Sequence, residues 1–241
     1  MSGHSHAKKI RHQKEITDQK RGQVFSKLLR EISVSAKEGG DPNTNTKLRL
    51  AIEKTKQWNL PKETIERAIK RGSDKLTGEK LKEIIYEAYG PGKTAIIIEG
   101  ITDNKNRTLG EIKQILTKHG GKLASEGSVK WLFERKGVIE VQSTKYEDKK
   151  KEELELLAIE VGADDIYWHD DVLDIYTKPE SLEKVKKNLE TKQIKVESAS
   201  LDWVAKEEVS LDEKTKEVCQ KLFEDLDENE EVQEIYSNLK E

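Results

Sequence analysis

A single cysteine, four prolines and an aromatic content of 5% set the first limits on this 241-residue chain. With only Cys219 present, no intramolecular disulfide can form, which suits a reducing cytosolic compartment. Scarce proline and regular apolar patterning argue against a disordered polymer. No apolar run approaches the roughly 18–20 residues that a membrane-crossing helix needs, and the N-terminal stretch lacks the apolar core of a secretory signal. The chain therefore reads as cytoplasmic, with no membrane partner. Charge is abundant instead: 38% of residues are Asp, Glu, Lys or Arg, against 34% hydrophobic. Several small domains, each with a high surface-to-volume ratio, would produce that balance.

The net charge of −3 conceals a strong asymmetry. Residues 1–72 hold 17 Lys/Arg and 8 Asp/Glu, a balance of +9, whereas residues 73–241 hold 27 and 39, a balance of −12. One end is attracted to polyanions and the remainder is repelled by them, which orients a protein on nucleic acid. The basic end begins with an arm of very low apolar content. Lys8, Lys9, Arg11, Lys14, Lys20 and Arg21 arrive within a short span, opposed only by Glu15 and Asp18, and after Met1 the arm's sole large apolar residue before Ile16 is Ile10. Such an arm cannot fold by burying itself; its chemistry is to neutralise phosphates and release their counterions.

Helical spacing follows. Val24, Phe25, Leu28, Leu29, Ile32 and Ala36 share one face, with Lys20, Lys27, Arg30 and Lys37 opposite. Gly39-Gly40 ends this helix and Asp41-Pro42-Asn43 forms a turn. A second helix is predicted from about Thr46 to Trp58, and a third after Asn59-Leu60-Pro61, with Ile65, Ala68 and Ile69 inward and Gly72 as its stop. The expectation is a small helical bundle with a cationic outer face.

From Glu83 the pattern turns to strands. Thr94–Thr102 is β-rich, Asp103-Asn104 can cap a helix carrying Leu109, Ile112, Ile115 and Leu116, and Val129–Phe133 is predicted as the next strand. A complete β-α-β-β-α-β set is then legible within 136–202, with a hairpin across His169-Asp170-Asp171. Beyond it come an extended piece at Trp203–Val209, a helix from Asp212 to about Leu226 and a strand at Val232–Ser237. The predicted architecture is α+β: an N-terminal small helical bundle plus two ferredoxin-like α/β domains, the second inserted into the first. The expected boundaries are 1–76 for the basic helical domain with its arm, 77–135 plus 203–241 for the discontinuous domain, and 136–202 for the insert; two consecutive α/β domains with different boundaries are the alternative.

No catalytic constellation emerges, and the chain is not expected to be an enzyme or to carry a cofactor. Cys219 lies in an acidic helix, where neighbouring carboxylates raise a thiol pKa, so a packing role is expected. His119 before Gly120-Gly121 suits a helix C-terminus. His4, His6 and His12 have no recognisable zinc spacing, so no metal site is assigned. Asp103–Thr108 combines a helix N-terminus with the cations Lys105 and Arg107, an arrangement that can hold a phosphate; simple capping by Asp103 and Asn104 explains the same residues.

Several motifs together resemble one family. They are Gly-His-Ser at 3–5, Ile10-Arg11-His12, Lys20-Arg21-Gly22, Phe25–Leu28, Gly39–Asn43, Asn59–Lys62, Ile65–Lys70, Tyr89–Gly92, Thr102–Asn104, Asn106–Thr108, His119–Gly121 and Gly127–Val129. This ordered set, spanning nearly the whole chain, resembles the YebC family, which includes the mitochondrial translational activator of cytochrome c oxidase subunit one. The resemblance implies a helical domain with two ferredoxin-like domains, and a non-enzymatic regulator of gene expression. Members are described either as DNA-binding transcriptional regulators or as factors that help ribosomes through difficult sequences. Two departures stand out: His6-Ala7 replaces a Lys-Trp often seen in the arm, and a Met-x-Pro-like segment is replaced around Trp203–Val209.

The expected partner is therefore nucleic acid, as rRNA on the ribosome or alternatively as DNA. The candidate contacts are His4, Ser5, Lys8, Lys9, Arg11, His12, Lys14, Lys20, Arg21, Lys27, Arg30, Lys105 and Arg107. The acidic α/β surfaces are candidates for a protein partner.

Overall fold

In a computed structural model of the chain, residues 18–74, 80–142, 151–169 and 171–240 are described. The chain divides into two compact units, one built on residues 132–208 and the other on the remaining stretches up to Trp131 and from Val209 to Leu239.

The larger unit starts with three helices: α1 (Asp18–Ser35), α2 (Thr46–Lys56) and α3 (Lys62–Ser73). Ile32, Ala36, Leu48, Ala51 and Ala68 form one part of their core, and Val24, Leu28 and Leu60 another. Asn45 fixes the turn between α1 and α2. Its Oδ1 accepts from Leu48 N at 3.0 Å, while its Nδ2 donates to Ser35 O at 2.8 Å and Gly39 O at 2.7 Å. One side chain thus caps the new helix and satisfies carbonyls left over at the end of the old one. Helices α1 and α3 cross closely because Gly72 has no side chain. A Cβ there would stand 2.0 Å from Ser33 O.

The same unit continues into an antiparallel sheet of β1 (Lys82–Tyr89), β2 (Ala95–Thr102), β3 (Lys122–Leu123) and β8 (Val232–Ser237), in the order β3-β1-β2-β8. Helices α4 (Lys105–Lys118) and α7 (Glu213–Glu228) belong to it. Ile96 and Ile98 of β2 and Ile235 of β8 pack with Ile112, Leu116, Cys219, Leu222, Phe223 and Leu226 of the two helices. On the opposite face of β2, Ile101 packs with Val34 of α1 and with Leu81. Cover on both faces explains why the strand reads as a near-continuous apolar run.

Two expectations are corrected here. Val129–Phe133 is not a strand of this sheet: Lys130–Leu132 is a 3-10 turn, and Phe133 opens the long strand β4 (Phe133–Gln142) of the other sheet. The place left for it is filled by β1, which forms a hairpin with β2 through Pro91–Lys93, and by the short β3. In α4, Leu109 lies outward, 38% exposed, because the buried ridge of the helix is formed by Thr108, Ile112 and Leu116.

The smaller unit contains β4, α5 (Lys151–Glu160), β5 (Asp165–His169), β6 (Val172–Thr177), α6 (Leu182–Thr191) and β7 (Ser198–Ala205). Its strand order β5-β6-β4-β7, antiparallel throughout, is that of a ferredoxin-like fold. The extended piece expected from Trp203 is the end of β7, which runs antiparallel to β4 as far as Ala205 opposite Phe133. Val209 then makes an isolated bridge to Leu239.

Candidate nucleic-acid interface

His4, Ser5, Lys8, Lys9, Arg11, His12 and Lys14 lie outside the described residues. The remaining candidates divide by what surrounds them. Lys27 is only 3% exposed, and its Nζ donates to Asp227 Oδ1 at 2.9 Å and also to the Asp227 carbonyl. Arg30 donates to Glu230 O at 2.7 Å and approaches the Glu230 carboxylate at 3.3 Å. Lys20 is more open, with Glu228 Oε1 4.0 Å away, and Arg21 is exposed with its guanidinium over the Phe25 ring at 5.4 Å.

These contacts belong to a larger pattern. Lys47 pairs with Glu83 at 2.7 Å, Lys54 lies 2.8 Å from Glu31 and 3.8 Å from Glu234, and Lys37 donates to the Leu81 carbonyl. One cationic side of the bundle therefore faces carboxylates at the C-terminus of α7, the loop after it, and strands β1 and β8. The polar side of α1 is an internal interface, which is why Lys27 is buried although its helical phase places it opposite the bundle core.

A second cationic side remains toward solvent, and the candidate residues above do not include it. On α3 the positions Lys62, Arg67, Lys70 and Arg71 are all exposed, as is Lys56 at the end of α2. Lys62 pairs with Glu66, 3.6 Å away on the next turn, and Arg67 hydrogen-bonds weakly to Glu63 O and Thr64 Oγ1 at 3.3 Å each. The signal was present in the sequence. With Ile65, Ala68, Ile69 and Gly72 inward, helical phase turns Arg67, Lys70 and Arg71 outward, and Lys70 and Arg71 also complement the C-terminal end of the helix dipole.

The N-terminus of α4 is occupied from within the chain. Asn104 Oδ1 accepts from Arg107 N at 3.2 Å, and Arg107 Nη2 donates to Asp103 Oδ1 at 2.7 Å. The Glu231 carboxylate accepts from both Thr108 Oγ1 and the Arg107 guanidinium, and its own backbone carbonyl accepts from Ile101 N at 2.8 Å. Donating hydrogen bonds to Glu231 and then to Asp103 raises the Arg107 pKa further. A glutamate thus sits where a phosphate would bind. Lys105 is exposed, and its carbonyl accepts from Tyr86 OH at 3.1 Å.

The other titratable residues have structural partners. His119 ends α4, and its Nε2 lies 2.8 Å from Asp225 Oδ2, which Lys118 Nζ also reaches at 2.6 Å. These two contacts hold the Asp225 carboxyl below the usual carboxylate range and tie α4 to α7. Cys219 is fully buried, with its Sγ 3.8 Å from both Thr94 Oγ1 and Pro91 O; burial, rather than acidic neighbours, pushes the thiol upward. His169 ends strand β5, with Nε2 2.9 Å from Oδ2 of the buried Asp174. Among the described residues no cluster of three or more His, Cys, Asp or Glu could hold a metal, and no helix is long and apolar enough to cross a membrane.

Comparison with known proteins agrees with this architecture. Residues 5–75 match the TACO1/YebC protein N-terminal domain, and residues 81–239 match the TACO1/YebC second and third domain. The chain is 46% identical to a probable transcriptional regulatory protein of Thermoanaerobacter pseudethanolicus, covering 99% of this chain and 97% of that one. It is 48% identical to a probable transcriptional regulatory protein of Persephonella marina, covering 99% and 96%. The crystal structure of a conserved hypothetical protein from Aquifex aeolicus superposes with a TM-score of 0.87 at 45% identity, covering 96% of this chain and 95% of that chain. Three family domains in order, together spanning nearly every residue, place the chain in the TACO1/YebC family.

Proposed function

We propose that this protein is a nucleic-acid-binding regulator of gene expression that grips RNA on the ribosome and supports translation. The observation that carries the reading is the segregation of charge, +9 over residues 1–72 against −12 over the rest. Part of the positive charge is consumed in holding the bundle against the acids of its own unit. The arm residues Lys8, Lys9, Arg11 and Lys14, with Lys20, Arg21, Lys105 and the exposed cations of α3, are the ones read as meeting a polyanion. His4, Ser5 and His12 supply polar contacts along the same strand of phosphates. Lys27, Arg30 and Arg107 position the cationic elements by binding carboxylates. Contacts of this kind recognise backbone and shape, as expected for structured RNA.

A second reading, a DNA-binding transcriptional regulator, is favoured by the names of the Thermoanaerobacter and Persephonella relatives. Cosedimentation separates the two. Ribosome binding predicts that the full-length chain pellets with ribosomes in low salt, is released as salt rises, and fails to pellet when Lys8, Lys9 and Arg11 are changed to Ala. Saturable binding to promoter duplex over random duplex, with no ribosome pelleting, would establish the DNA reading instead. The acidic α/β surface is the place for a protein contact, and deleting residues 1–14 without loss of function would make that contact the dominant one.

A further inference from the structure

The outward face of α5 carries an apolar stripe that the core of its own unit does not use. Leu154 and Ala158 are buried and Leu157 is half-buried, so the inward face forms without Leu156 or Ile159. Those two residues, one turn apart on the other side, are 68% and 60% exposed. A single exposed leucine is ordinary, but these two stand together and their surroundings are of one sign. Of the four helical neighbours of Leu156, three are Glu152, Glu153 and Glu160 and the fourth is Ile159. Ile159 is flanked in turn by Glu155, whose carboxylate accepts from Trp168 Nε1 at 2.7 Å. Residues 151–165 hold six Asp/Glu against Lys151 alone, and Lys151 is engaged with Asp171 at 3.6 Å and with the Trp168 ring at 4.7 Å. Helix stability explains only part of this charge. Glu152 and Glu153 suit the first turn, whereas Glu160 sits at the C-terminal end, where a carboxylate opposes the helix dipole and the last turn holds no basic residue. Lys192 offsets Glu160 at 2.7 Å.

We infer that this stripe is a docking surface for a cationic amphipathic helix of a partner protein, one with apolar residues at i, i+3 or i+4 spacing and Lys or Arg on both flanks. Charge selects that occupant. A phosphate backbone or an anionic membrane surface would meet carboxylates and be repelled. A second copy of the chain, packed stripe to stripe about a two-fold axis, would oppose glutamates to glutamates. A helix whose cations reach Glu152, Glu153 and Glu160 while its apolar residues cover Leu156 and Ile159 hides the exposed apolar area and meets the acids together. Two apolar anchors on one short helix make a small contact, of the transient class. The inference rests on the reading of the acidic α/β surface as the place for a protein contact, and gives that contact its position and its chemistry.

The test uses the full-length protein and three fluorescent helical peptides. The first has a leucine stripe flanked by lysines, the second the same stripe flanked by glutamates, and the third the lysine flanks with serines in the stripe. Wild-type protein should bind the first in preference to both others. Leu156→Ser combined with Ile159→Ser should weaken the first by roughly 10-fold or more, the scale of two apolar side chains withdrawn from a contact, and leave RNA binding by the basic end unchanged. Glu152→Lys combined with Glu153→Lys should shift the preference toward the glutamate-flanked peptide. All four positions are exposed, and unfolding midpoints like that of wild type establish that the variants fold. Equal binding of the first and third peptides, or a Leu156→Ser/Ile159→Ser protein that binds the first like wild type, overturns the docking stripe and leaves only general attraction of cations to acids. Sedimentation showing a wild-type dimer that the same two substitutions dissociate also overturns it, in favour of a second copy. Wild-type protein that binds none of the peptides but pellets with ribosomes removes the docking surface and keeps the polyanion reading; selective binding of the first peptide without ribosome pelleting does the reverse.

Discussion

The helical bundle carries lysines and arginines on two sides, and the two sides use the same chemistry for opposite ends. Toward the α/β part of the same unit, Lys27, Arg30, Lys47 and Lys54 each meet a carboxylate, and Lys27 is almost wholly withdrawn from solvent. On α3, Lys62, Arg67, Lys70 and Arg71 are all exposed, and the partners of Lys62 and Arg67 lie on their own helix, as partners of other residues on this side can too. A cation desolvated against an acid is committed, because removing either partner leaves a buried charge. A hydrated cation costs little to hold and remains available to a phosphate. Formal charge alone thus overstates the interface, and the distribution of acids in the same unit decides which part of it is usable.

The most severe way to break the comparison is to separate the helices that define the two sides. Gly72→Ala puts a methyl group 2.0 Å from Ser33 O, on backbone that cannot rotate away. The α1–α3 crossing must open, at a cost of about 3 kcal/mol or more, read from urea unfolding. Next in size is the buried pair itself. Lys27→Ala leaves the Asp227 carboxylate without its ammonium partner and should cost about 2–4 kcal/mol, whereas Lys27→Met, which keeps the packing of the stem, should cost less. Equal losses for the two variants would mean that charge pairing, not packing of the stem, holds this side.

Glu87 provides a control, because its charge is held chiefly by three backbone N–H groups, with the Lys130 charge a smaller contribution. Burial pushes its pKa up, but hydrogen bonds from Gly127, Val129 and Lys130 outweigh it, and the carboxyl lies below its ordinary value. A group depressed in the folded state contributes stability that is complete above the unfolded pKa of about 4.3 and is lost as pH falls through the lower folded value. Glu87→Gln should therefore cost about 1–3 kcal/mol at neutral pH and shrink the acid-side loss of stability, measured by denaturant titrations between about pH 2 and 7.

Much of this was legible in the sequence because helices and strands announce their periods. The inward phase of α3, the run Ile96–Ile98, and the β-α-β-β-α-β set of the smaller unit follow from spacing alone. Partners distant in sequence were not legible. Nothing near Lys27 marks Asp227 as its acid, 200 residues away, and nothing near Arg107 announces Glu231, 124 residues away. The expected strand at Val129–Phe133 failed for a similar reason. Val129 and Phe133 are buried, but Glu87 on another strand captures the backbone N–H groups of Gly127, Val129 and Lys130 and bends the segment into a turn.

The smallest effect on stability belongs to the solvent side, and there the comparison becomes a functional measurement. Changing Arg67, Lys70 and Arg71 to Ala removes exposed side chains, so each should alter unfolding free energy by no more than about 0.5 kcal/mol. If these cations meet phosphates, the triple variant binds RNA more weakly at every sequence, and its log Kd against log salt is shallower by roughly one unit for each phosphate no longer neutralised. Lys27→Met gives the converse pattern, losing stability while its salt slope stays that of wild type, since a buried ammonium displaces no counterion from the RNA. A triple variant with an unchanged salt slope would restrict RNA binding to the arm and to Lys20, Arg21 and Lys105. The outward face of α3 would then serve solubility alone, and charge segregation in this bundle would reflect its internal docking more than its partner.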